Sequence, residues 1–117
     1  MRIRFSTPVL AALAILASTA VHAETKPIKI WNLTAATILE LKLAPSGTTK
    51  FGRNLTKEDK DGEIDVDERL NLLNTPPGVY DAQIVLKGGR HCHVSALKLE
   101  SGGIVSIEEQ DLQACAP

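Results

Sequence analysis

Two stretches of this chain hold side chains whose types and spacing could do chemistry. The first is Glu58-Asp59-Lys60-Asp61-Gly62-Glu63-Ile64-Asp65-Val66-Asp67-Glu68, with seven carboxylates and one lysine in eleven residues. Carboxylates at this density suit a hard cation such as calcium, which takes about six to eight oxygen ligands. Asp59, Asp61, Glu63 and Asp65 are the candidate ligands. The second stretch is His91-Cys92-His93. On a strand, residues two apart project from the same face. His91 and His93 could therefore both reach one zinc or copper ion, with Cys92 pointing the other way. Two imidazoles alone leave a coordination sphere incomplete. The plainer alternatives are a solvated acidic loop leading into an edge strand, where charge discourages aggregation, and two exposed strand histidines. The solvated loop is the preferred reading of the acidic run.

The acidic run overlays part of an EF-hand calcium loop if Gly62 takes the sixth position. Asp59 then falls at the third, Asp61 at the fifth, Ile64 at the eighth, Asp65 at the ninth and Glu68 at the twelfth. Lys57 falls at the first, putting a cation where a ligand belongs. An EF-hand also needs a helix on each side. Thr48–Thr56 contains Gly52 and two early threonines, and the segment after the loop alternates like a strand. A cation site of another kind is the better form of the calcium reading. Covalent catalysis has no constellation: no Ser or Thr sits in a nucleophile elbow, and paired carboxylates occur only in the acidic run. No catalytic residue is assigned, no cofactor is required, and the chain reads as non-enzymatic. Asn32-Leu33-Thr34 and Asn54-Leu55-Thr56 match the glycosylation acceptor pattern, which matters only in a glycosylating host.

The elements that must position these residues come after a targeting segment. Residues 1–23 carry 15 apolar side chains and only two charges, Arg2 and Arg4. Val9–Ala17 is an unbroken apolar run, long enough for the core of a signal peptide and too short to span a bilayer. Val21-His22-Ala23 supplies a processing site, so cleavage after Ala23 is expected, leaving one domain over 24–117. That remainder carries 11 basic and 14 acidic side chains, with Trp31, Phe51 and Tyr80 as its three aromatics. It has no basic, aromatic-interleaved surface for nucleic acid, and no apolar run long enough for a transmembrane segment. Export points to the periplasm or the exterior, where Cys92 and Cys115 should form a disulfide. In the chain-entropy model such a bridge contributes roughly 3 kcal/mol.

Hydropathy alternates with a period of two. The expected strands cover 28–32, 37–43, 64–72, 80–86, 92–99 and 104–107. Leu39, Leu41 and Leu43 should share a face, as should Ile64, Val66, Leu70 and Leu72. Tyr80, Ala82, Ile84 and Leu86 form a third set, and Cys92, Val94 and Ala96 a fourth. Gly88-Gly89 and Ser101-Gly102-Gly103 read as hairpin turns, and Pro76-Pro77-Gly78 as a tight turn. Residues 108–112 suit one helical turn that returns Cys115 towards Cys92. The expected fold is all-β: a small antiparallel β-sandwich of six to seven strands, immunoglobulin-like in arrangement, with one disulfide.

Several phrases carry a resemblance: Ile30-Trp31-Asn32-Leu33-Thr34, Phe51-Gly52-Arg53-Asn54-Leu55, Pro77-Gly78-Val79-Tyr80-Asp81, Gly89-Arg90-His91-Cys92, and Val105 to Leu112. Together they resemble a group of small secreted alphaproteobacterial proteins of unknown function. The resemblance implies a signal peptide, one β-sandwich domain and the periplasm, and it implies no catalytic residues. It also implies that Phe51 packs between the sheets, and that the acidic stretch is a variable connection. The expected role is a binding or interaction module whose partner is another envelope protein, met through an exposed strand edge. The alternative is a periplasmic metal-binding protein, with calcium at 58–68 or copper or zinc at His91 and His93.

Overall fold

The computed structural model describes residues 26–117; the signal peptide expected at 1–23 lies outside them. Seven strands run as β1 (Ile28–Leu33), β2 (Ile38–Pro45), β3 (Arg69–Leu72), β4 (Gly78–Leu86), β5 (His91–Leu99), β6 (Ile104–Glu108) and β7 (Gln113–Ala116). They form a three-stranded sheet in the order β3-β1-β6 and a four-stranded sheet in the order β2-β4-β5-β7. One aliphatic core lies between them. Ile30, Leu70, Leu72 and Ile107 come from the first sheet, and Leu41, Ile84, Leu86, Val94 and Leu99 from the second. The fold is an all-β sandwich with a Cys92–Cys115 disulfide.

The three-stranded sheet is not purely antiparallel as expected: β1 pairs antiparallel with β3 but parallel with β6. The reason lies in the turn at 100–103. Gly88-Gly89 closes a true hairpin between β4 and β5, with both glycines at positive φ. Ser101-Gly102-Gly103 instead carries the chain across to the other sheet. The start of β1 captures it: the Gly102 N–H donates to the Lys26 carbonyl at 3.2 Å, and the Lys29 N–H to the Gly103 carbonyl at 3.0 Å. The resulting strand order is not the constant-domain immunoglobulin order, in which strands one, two, five and four face strands three, six and seven.

Two β-bulges shift side chains from their expected faces. In β2 the register slips between Ile38 and Glu40. Ile38, Leu41 and Leu43 are buried, while Leu39 is only half-buried. In β5, Ser95 and Ala96 together face Asp81, and Ala96 takes φ +56°. Leu97 and Leu99 turn inward as a result, and Ala96 faces solvent instead of joining Cys92 and Val94. The Asp81 carboxylate holds this bulge. It accepts the Ala96 N–H and the Gly47 N–H, each at 3.0 Å, and the Ser46 hydroxyl at 3.1 Å.

Those bonds, from Gly47 first and Ala96 next, hold the Asp81 pKa below the ordinary carboxylate value. A depressed carboxylate stabilises the fold above its unfolded pKa, and that contribution is lost as pH falls through the folded pKa. Glu109 behaves alike, lowered first by Arg90 and then by the Ala35 N–H. Thermal midpoints of the wild type should therefore fall on acidification below about pH 4. Asp81→Ala should melt lower at neutral pH and lose part of that acid slope. A slope identical in the two proteins would remove Asp81 from this role.

The strand expected over 64–72 is broken. Only Arg69–Leu72 is strand, and Ile64 makes a single bridge to Ile38. Ile64 is fully buried, but Val66, expected on the same face, is 51% exposed. Phe51, expected between the sheets, is half-buried and stands outside the core, whereas Leu55 belongs to it.

Candidate functional site

The acidic stretch is folded onto the protein by its own carboxylates. The Glu58 side chain is only 4% exposed. It pairs with Arg53 and accepts the Leu73 N–H at 3.0 Å. Asp59 accepts the Lys60 N–H at 2.6 Å, and Glu68 accepts the Asp65 N–H at 2.8 Å. The Asp65–Glu68 turn puts Asp67 in the left-handed region, at φ 67°. Asp67 accepts the Trp31 indole N–H at 2.9 Å, and the Arg69 guanidinium lies 4.2 Å from the centre of that ring. The Glu68 carboxyl lies against Asp59, and this neighbour, above all, raises its pKa. Asp59 Oδ2 is buried without a hydrogen-bond partner.

Asp61 and Asp65 are exposed and Glu63 is half-buried. Among the described residues, no three His, Cys, Asp or Glu side chains come together as metal ligands. The four expected calcium ligands are thus in one loop but not around one point.

Two asparagines complete the clasp, and sequence reasoning missed their role. Asn32 is fully buried. Its amide nitrogen lies 2.9 Å from the Ala36 and Ile64 carbonyls and 3.2 Å from that of Asp65. Its amide oxygen accepts the Thr34 N–H at 3.0 Å and lies 2.7 Å from the Thr34 hydroxyl. Asn54 repeats the device: its oxygen accepts the Thr56 N–H at 3.1 Å and lies 2.9 Å from the Thr56 hydroxyl. It also accepts the Leu41 N–H at 2.9 Å, and its nitrogen reaches the Leu39 carbonyl freed by the β2 bulge. The signal is the repeated Asn-Leu-Thr, which also matches the glycosylation acceptor pattern. In these asparagines the same atoms serve as turn acceptors and donors.

The clasp seals one side of the sandwich. The outer edge of β2 is occupied by Gly52, Asn54 and Ile64, and Glu58 caps the chain just beyond β3. The 55–58 turn packs against both strands. The opposite side is bounded by β6 and β7. The Lys29 N–H bond to Gly103 sets the phase of the parallel ladder. Val105 and Ile107 turn their backbone groups to β1, and Ile104 and Ser106 turn theirs outward. Ile104 is 52% exposed. At the far end the Asp111 carboxylate accepts the Glu108 N–H at 2.8 Å, while Arg90 pairs with Glu109.

β7 lies on the same side. All four of its residues are exposed, and it is held by β5 and by the disulfide between Cys115 and the buried Cys92. A single helical turn over Glu109–Asp111 delivers it there, as expected. His91 and His93 flank Cys92 on the outward face of β5, and both are exposed. Among the described residues no helix is long and apolar enough to cross a membrane.

Fold and site together define a disulfide-bridged two-sheet β protein, sealed by an acidic clasp along one side and open along the other. No protein-family model, curated protein or solved structure matches the chain.

Proposed function

We propose that this protein is an exported, periplasmic interaction module without catalytic activity, one of the small secreted proteins its sequence phrases resemble. Its partner is another envelope protein, which docks an extended segment along β6. The observation that carries this reading is the asymmetry of the two sides. The clasp bonds to the outer edge of β2 and packs its 55–58 turn against β3, whereas Ile104 and Ser106 of β6 leave their backbone donors and acceptors outward. A strand added there extends the sheet by main-chain hydrogen bonds. Glu108 and Asp111 at the end of β6 favour a segment that carries Lys or Arg. The disulfide suits an oxidising compartment.

The test is site-specific photocrosslinking in the cells that make the protein. Ser106→benzoylphenylalanine on the open side should give a discrete protein adduct, and Lys50→benzoylphenylalanine in the sealing loop should give none. No adduct from Ser106, or the same adduct from both positions, would overturn the proposal.

A further inference from the structure

We propose that His91 and His93 form a two-histidine chelate for a divalent transition-metal ion on the outer face of the four-stranded sheet, with Cu2+ the ion held most tightly. The two residues stand at i and i+2 of β5, about 6.6 Å apart along the strand, and project together. Both are exposed, while Cys92 between them is 2% exposed and points into the core. That contrast fixes the direction of both imidazoles from the backbone outward.

The strand that carries them is held on both sides. β5 pairs with β4 at Gln83↔His93 and Val85↔His91, and with β7 at His91↔Ala116 and His93↔Gln113. The disulfide to β7 starts from the residue between the two histidines. The backbone of the pair is therefore ordered before any ion arrives, which lowers the entropic cost of chelation. The direct cross-strand neighbours are Gln83, Val85, Gln113 and Ala116, so no charged side chain stands directly opposite either imidazole. The ion pairs among the described residues join Arg53 to Glu58, Arg90 to Glu109 and Lys98 to Glu100, and engage neither histidine.

Imidazole nitrogen suits copper, nickel and zinc, and among these Cu2+ binds a given nitrogen site most strongly. Two ring nitrogens occupy two positions, and water fills the rest. The carboxylates of the acidic loop are oxygen donors on another part of the fold and take no part. This inference does not rest on the docking reading, since it uses a sheet face and not the β6 edge.

The experiment is calorimetric titration of the full chain with CuCl2, NiCl2 and ZnCl2 in a non-chelating buffer. One Cu2+ per chain should bind with a Kd of micromolar order, and Ni2+ and Zn2+ more weakly. His91→Ala and His93→Ala should each weaken Cu2+ binding at least about tenfold, the loss of about 1.4 kcal/mol of binding free energy. His22→Ala, which removes the remaining histidine of the chain, should leave the affinity unchanged. The electron paramagnetic resonance spectrum of the copper complex should show coupling to two nitrogens in the wild type, and the change of a coordinated nitrogen in each β5 variant. Both β5 positions are exposed, so the variants should melt as the wild type does without metal. Absence of saturable Cu2+ binding, or full affinity in the His91→Ala/His93→Ala double variant, would overturn the proposal. So would loss of binding in His22→Ala.

Discussion

Asn32→Ala should lower the unfolding free energy by roughly 3–4 kcal/mol, read as a fall in the urea midpoint without a change in slope. Asn32 is the buried node on which the clasp hangs. Its side chain serves the carbonyls of Ala36, Ile64 and Asp65 and receives the backbone and hydroxyl of Thr34. Its backbone accepts the Asp67 N–H at 2.7 Å and donates to Glu68 at 2.9 Å. Truncation removes the side-chain partners together and leaves buried acceptors dry, at about 1–3 kcal/mol for each group left unsatisfied. Asn32→Asp should be no milder, because a carboxylate cannot donate to those carbonyls and would be buried beside them. Domains of this size have about 5–15 kcal/mol in total, so either change takes a large part of it. Near-native stability in Asn32→Ala would mean that the clasp is held by Ile64 and the carboxylates without it.

Removing the disulfide should have the second large effect. The paired substitution Cys92→Ala/Cys115→Ser avoids a free thiol and keeps the buried position apolar. It should cost about 3 kcal/mol in the chain-entropy model. The bridge closes a loop with a sequence separation of 23. The structure adds where the loss should appear first. Leu112 still packs against the core, but every residue of β7 beyond it is exposed, and the β5–β7 register is interrupted between His91 and His93. Without the bridge, β7 has only a short, bulged ladder to hold it. Hydrogen exchange should therefore quicken at Gln113–Ala116 and along the newly uncovered edge of β5, before the β2–β4 ladder changes. Uniform acceleration across both sheets, or no change at β7, would contradict this order.

The sequence made the strands visible where alternation is strict and the turn is made of glycine. The β4–β5 hairpin, the burial of Ala82, Ile84 and Leu86, and the Cys92–Cys115 pairing all follow from local pattern. Faces were misread where a single backbone irregularity changes the phase. Period-two reading carries Ala96 inward with Val94; the bulge that turns it out depends on Asp81 of the neighbouring strand, and nothing around Ala96 announces it. The parallel β1–β6 pair was missed for a related reason. A Gly-Gly turn can close a hairpin or cross between sheets, and here Lys26 and Lys29, far away in the chain, decide. The acidic run was legible as an anomaly of charge but not as a clasp. Its carboxylates accept from backbone amides and from the Trp31 indole, partners that composition does not reveal. The outward pairing of His91 and His93 was legible because β5 keeps its phase up to Ser95, one residue before Ala96.

The placement of Trp31 has a practical corollary. It is the chain's lone tryptophan, and the core is aliphatic. Its ring is held by Asp67 and stacked by Arg69, both at the point where the acidic loop meets the sheet. Intrinsic fluorescence in this protein is therefore an optical gauge of loop attachment, while far-ultraviolet dichroism follows the sheets. A gap between the two signals during denaturation would report the clasp opening ahead of the sandwich.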